Sequence, residues 1–169
     1  MNRAGSPVFL FGSSMGGWVS AWFAAKHPGR VAACALVAPA FRFLEWKRLS
    51  AAERDEWRRT GRLRVRNEFV DVEIGYELTA GADDYPFETL AYEFRAPAII
   101  FHGMADDTVP YSLSLEFAAR CVSGDVEVTL FKSGDHRLNR EKESLAFAAC
   151  EFLARKDNAI VPAGKAYLC

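Results

Sequence analysis

Short apolar runs punctuate the chain. Val8–Phe11, Val31–Val37 and Ala98–Phe101 are apolar at successive positions, and Val126–Phe131 is a fourth strand-like run. Such runs read as strands buried on both faces, the signature of a parallel sheet covered by helices. Helical spacing fills the intervals. Trp18, Val19, Trp22 and Phe23 recur from Met15 to about Lys26, where Pro28-Gly29 ends the segment. Leu113, Leu115, Phe117 and Ala118 share a face of Ser112–Val122. Leu145, Ala148, Ala149 and Phe152 do so over Leu138–Leu153. Strand and helix alternate as in an α/β fold with a mostly parallel sheet, and right-handed crossovers place the four strands in sequential order.

One interval breaks the rhythm. Residues 41–95 separate the second and third strands by far more than a crossover needs, and hold Phe43, Trp46, Leu49, Trp57, Phe69, Val70 and Tyr76 among many charges. Ser50-Ala51-Ala52-Glu53 offers a capping-box helix start, and Gly81–Pro86 reads as a turn. The expectation is a helical cap or lid inserted into a single domain spanning 1–169. The basic stretch Arg58–Arg66, flanked by Glu53, Asp55, Glu56 and Glu68, reads as a solvated helical face.

Composition narrows the classes. The chain has 169 residues, half of them hydrophobic and a quarter charged, with a formal net charge of −1. That balance suits a globular domain. No basic stripe marks a nucleic-acid partner, and no apolar stretch approaches the roughly 20 residues of a membrane span. Cys34, Cys121, Cys150 and Cys169 show neither paired nor metal-like spacing. The reading is therefore a reduced, cytoplasmic protein without metal or cofactor, organellar if a targeting segment precedes this sequence.

Chemistry enters at Gly12-Ser13-Ser14-Met15-Gly16-Gly17, a G-x-S-x-G pattern between the first strand and the first helix. That context makes it a nucleophile elbow, with Ser14 as the nucleophile and the Met15 amide as an oxyanion donor. Gly12 and Gly16 are expected to let backbone pass close to the strained turn. A serine hydroxyl needs a base. His27 closes the first helix, and His102 ends the third strand, where it shapes a turn. His136 lies in a loop after the fourth strand, at the sheet edge that also carries Ser14, and is the base by position. An imidazole base needs an orienting carboxylate. The loop after the third strand offers Asp106 and Asp107, completing the chain order Ser, Asp, His.

These three loops resemble those of the α/β-hydrolase family, of which the chain looks like the C-terminal portion. His102-Gly103-Met104-Ala105-Asp106-Asp107-Thr108-Val109-Pro110 fits the H-G-x-x-D-x-x-V-P acid loop of small serine hydrolases, which assigns the carboxylate to Asp106. This loop, the stretch from Val122 to Leu138 and the elbow with Gly16-Gly17-Trp18 are similar to one group. It comprises the mitochondrial palmitoyl-protein thioesterase and acyl-glucuronide esterase, with bacterial carboxylesterase relatives. Ser13 stands where these proteins usually carry His.

The resemblance implies a serine hydrolase that cleaves small-molecule carboxylic esters or thioesters through an acyl-enzyme, without a cofactor. Trp46 and Trp57 of the cap would then shape an acyl pocket. It also implies further strands before the elbow and a second oxyanion donor after an H-G pair there, so the sequence reads as N-terminally truncated. A first strand without a covering neighbour favours self-association through its edge. Two alternatives stay open. One is a serine peptidase of the same fold, using Asp83 and Asp84 to hold a substrate amine. The other is a catalytically inert fragment.

Overall fold

The computed structural model describes residues 7–43, 49–66, 71–79, 81 and 84–160. They fall into two compact units, one formed by Met1–Phe41 with Phe87–Cys169, the other by Arg42–Pro86.

In the larger unit, strand β1 (Val8–Ser13) leads into helix α1 (Met15–Lys26) and returns as β2 (Val31–Val37). In the smaller unit follow helix α2 (Ala51–Thr60), strands β3 (Arg62–Arg66) and β4 (Asp71–Gly75), and a 3₁₀ turn at Tyr76–Thr79. The larger unit resumes with α3 (Phe87–Glu93), β5 (Ala98–Gly103), α4 (Ser112–Arg120), β6 (Val126–Phe131) and α5 (Lys142–Ile160).

Its sheet is parallel throughout, in the order β1-β2-β5-β6. The α/β class and the sequential order of the four apolar runs are as the pattern predicts. The two central strands, β2 and β5, are buried at every position, which is why they lack a polar face. Successive side chains feed opposite cores. Cys34, Leu36 and Ile100 join Trp22, Leu90 and Phe117 on one side; Ala33, Ala35, Val37, Ile99 and Phe101 meet Leu145, Ala149 and Phe152 on the other. Phe117 stacks on Phe41 at 4.1 Å between ring centroids and meets Phe87 and Phe94 edge-on. No described helix is long and apolar enough to cross a membrane.

The smaller unit differs in part from a helical insertion. The Ser50 hydroxyl accepts from the Glu53 N–H and the Glu53 carboxylate accepts from the Ser50 N–H, so the predicted capping box starts α2. The helix stops at Gly61, whose φ of 74° suits a glycine cap. From there Arg62–Arg66 pairs antiparallel with Asp71–Gly75. The basic stretch is thus part helix and part strand. Arg62, Arg64 and Arg66 point out while Leu63 and Val65 are half-buried, an alternation with the strand period of two. Trp57 is only 2% exposed; its Nε1–H donates to the Ile74 carbonyl at 3.0 Å and its ring meets Tyr76 edge-on. One of the two tryptophans expected at an acyl pocket therefore packs within this unit. Trp46, Phe69, Val70 and Asp83 lie outside the described residues, and Asp84 is exposed.

Candidate active site

Parallel strands in register bring their carboxyl ends to one edge. Ser13 lies beside Val37, Val37 beside Phe101, and Gly103 beside Phe131. The pairing continues past the strand ends. Ser14 N–H donates to Val37 O at 2.8 Å, Ala38 N–H to Phe101 O at 2.8 Å, and Met104 N–H to Phe131 O at 2.9 Å. The elbow, the loop after β5 and the loop after β6 are thereby stitched into one row.

Ser14 sits at φ 53°, ψ −120°, outside the regions open to an ordinary side chain. Such a conformation costs about 1–3 kcal/mol and needs the surroundings to hold it. The Ser14 carbonyl accepts from the N–H groups of Gly17, Trp18 and Ala40. A Cβ on Gly12 would lie 2.6 Å from Ser20 Oγ and against the Gly16 carbonyl, so Gly12 is required for close approach. Gly16 is not, because a Cβ there meets nothing within 4 Å. The second close approach belongs to Gly17, whose Cβ would lie 2.9 Å from Pro39 Cβ. Met15 is the first residue of α1, where backbone N–H groups have no acceptor inside the helix.

The loops after β5 and β6 are pressed together by glycines. A Cβ on Gly103 would strike the Gly134 backbone, and Ala105 N–H donates to Gly134 O at 3.0 Å. Asp135 then accepts from the N–H groups of Arg137 and Leu138, each at 2.9 Å, a local turn that leaves His136 between them.

Ser14, His136 and Asp106 meet. His136 Nε2 is 3.0 Å from Ser14 Oγ, and His136 Nδ1 is 2.7 Å from Asp106 Oδ2. A carboxylate only accepts, so Nδ1 carries the hydrogen and Nε2 accepts from the Ser14 hydroxyl. The His136 side chain is 16% exposed and that of Asp106 is 0% exposed. Asp107 is exposed, and its Oδ1 accepts from Thr108 Oγ1 at 3.1 Å.

Burial pulls the Asp106 carboxyl up, but the hydrogen bonds it accepts from His102, His136, Val109 N–H and Thr108 N–H prevail and hold it well below the usual carboxylate range. Val109 N–H and Thr108 N–H each reach Oδ1 at 2.8 Å. His102 does more than shape a turn, the role read from the sequence. It is fully buried, with Nε2 3.2 Å from Asp106 Oδ2 and 3.0 Å from Val109 O, and Nδ1 2.7 Å from Ser114 Oγ. The available signal is a lone polar side chain at the end of an otherwise apolar buried strand. His27 lies at the far end of α1, where its N–H closes the helix on Phe23 O. Among the described residues no group of His, Cys, Asp or Glu is placed to hold a metal ion.

Known proteins share this arrangement of elements. A mouse protein described as the mitochondrial palmitoyl-protein thioesterase ABHD10 is 31% identical over 169 residues, covering 94% of this chain and 56% of that protein. The structure of alpha/beta hydrolase domain-containing protein 10 from mouse matches with a TM-score of 0.74 at 28% identity, over 94% of this chain and 65% of that one. The crystal structure of an Agrobacterium vitis protein matches with a TM-score of 0.76 at 26% identity, over 87% of this chain and 61% of that one. The chain spans about half the length of the curated relatives it matches. Residues 4–156 match the prolyl oligopeptidase family, and the chain belongs to that family, on an α/β-hydrolase fold.

Proposed function

We propose that the protein is a serine hydrolase that cleaves carboxylic ester or thioester bonds through an acyl-enzyme. The observation that carries this reading is the position of His136, with one ring nitrogen 3.0 Å from Ser14 Oγ and the other 2.7 Å from Asp106 Oδ2. The Ser14 hydroxyl gives its proton to His136 Nε2 as Oγ attacks the acyl carbonyl. Asp106 holds the ring in the required tautomer and stabilises the imidazolium. The Met15 N–H, at the positive end of α1, faces the developing oxyanion. The imidazolium then protonates the departing alcohol or thiol, and a water activated by the same nitrogen releases the acid. The thioesterase named among the relatives favours a thiol leaving group.

A second reading, peptide hydrolysis, is favoured by the family itself. An amine is a poorer leaving group and depends more on the proton from His136. Turnover of p-nitrophenyl esters, acyl thioesters and aminoacyl amides by the parent and by Ser14→Ala separates the two. Faster ester or thioester cleavage that vanishes in Ser14→Ala supports the first; preferred amide cleavage supports the second. Cleavage of all three that survives in Ser14→Ala contradicts both.

The insertion read from the sequence, residues 41–95, is proposed as the cap of this enzyme; Arg42–Pro86 within it form a compact unit of their own. The proposed location is a reducing compartment, cytoplasmic or organellar, the latter favoured by the mitochondrial relatives. Self-association through β1 is a further proposal. It is supported by the place of β1 at the end of the strand order and by Phe11, which is 58% exposed. A concentration-independent monomer in sedimentation would remove it.

A further inference from the structure

We propose that His102 is a positioning residue for Asp106, sharing with His136 the carboxylate oxygen that faces both rings, with Ser114 fixing the tautomer of His102. The inference rests on the acyl-transfer reading above.

His102 and Ser114 are both fully buried. Burying two polar groups gains little over an apolar pair of the same shape, so packing alone does not account for them. Their geometry does. The Val109 carbonyl, 3.0 Å from His102 Nε2, can only accept. Nε2 therefore carries a hydrogen, shared between Val109 O and Asp106 Oδ2 at 3.2 Å. In the neutral ring Nδ1 is then an acceptor, and the Ser114 hydroxyl donates to it at 2.7 Å. Val109 N–H returns a bond to Asp106 Oδ1 at 2.8 Å, so His102, Val109 and Asp106 close a ring of contacts.

Oδ2 of Asp106 thus serves two imidazoles, His136 at 2.7 Å and His102 at 3.2 Å. A donor on that oxygen draws off part of the carboxylate charge that would otherwise stabilise the His136 imidazolium. His102 thereby fixes where Oδ2 points and competes with His136 for it. Donation by Ser114 to Nδ1 polarises the ring and strengthens the Nε2–H donor. Of the other ionisable groups in the flanking loops, Asp107 accepts from Thr108 Oγ1 and Asp135 from Arg137 N–H and Leu138 N–H, while Lys132 and Arg140 are exposed and Glu141 is half-buried. Arg137 is exposed.

The test is the pH midpoint of fluorophosphonate labelling of the full chain. In His102→Phe the midpoint rises, by up to about one pH unit. In Ser114→Ala it rises by less. In His102→Gln, whose amide nitrogen can reach the place of Nε2, it returns most of the way to the parent value. Midpoints of Ser114→Ala and His102→Phe that coincide with the parent, or fall, overturn the proposal. If His102→Phe does not fold, Ser114→Ala decides: a raised midpoint supports the proposal, and one that coincides with the parent or falls overturns it. Ser14→Ala is run alongside: labelling that persists there overturns the acyl-transfer reading instead, so the two failures are told apart.

Discussion

Asp106 Oδ2 and His136 Nδ1 lie 2.7 Å apart although 30 positions separate the residues. The contact exists because Gly103 and Gly134 let the loops after β5 and β6 touch backbone to backbone. Asp107, next in sequence, is exposed. Asp106→Asn should therefore lower kcat for ester substrates by up to about 10⁴, and Asp107→Asn by a few-fold at most. Steady-state kinetics of the two variants check this. Equal losses contradict the assignment.

The same carboxylate carries a pH signature. Its folded pKa is depressed: burial opposes this, and hydrogen bonds from His102, His136, Val109 N–H and Thr108 N–H outweigh it. A depressed acid stabilises the fold above its unfolded pKa of about 3.9. That contribution is lost as the pH falls from about 5 through 3.9 toward the folded value. Denaturant unfolding across that window should show the stability gap between the parent and Asp106→Asn narrowing. A gap independent of pH contradicts it.

Two glycines of the elbow behave oppositely. A methyl on Gly12 strikes Ser20 Oγ and the Gly16 backbone, whereas one on Gly16 meets open space. Gly12→Ala should cost about 1–3 kcal/mol of stability through overpacking and reduce activity by displacing Ser14. Gly16→Ala should be neutral or add up to about 1 kcal/mol from helix propensity. Thermal unfolding and ester turnover distinguish them.

Burial separates two thiols. Cys34 is fully buried in β2, which pushes its thiol up to about 12, while Cys150 is exposed on α5. At pH 8 iodoacetamide should alkylate Cys150 in the native protein and Cys34 only after unfolding, read by mass spectrometry of digested peptides. Alkylation of Cys34 at the rate of Cys150 without denaturant contradicts this packing.

The sheet is legible in the sequence because β2 and β5, buried on both faces, leave uninterrupted apolar runs that no surface strand shows. Ser14, Asp106 and His136 are legible because each follows its own strand at the same sheet edge. Helix α5 starts at Lys142 rather than Leu138, because the Asp135 turn ends with Leu138 at φ 52°, which helical spacing cannot reveal. The β3–β4 hairpin hides behind its arginines: charge density draws attention away from the period-two alternation of Leu63 and Val65. The contact of His102 with Ser114 spans one loop and one helix turn, so it appears only when β5 and α4 are placed in space.

Activation of Ser14 by His136 is the step on which the proposed chemistry depends. Intact-protein mass spectrometry of the purified chain after fluorophosphonate treatment tests it most directly. One adduct per chain is expected, mapped to Ser14 and absent from Ser14→Ala and His136→Ala. A folded chain that takes no adduct, or one that Ser14→Ala still takes, contradicts it.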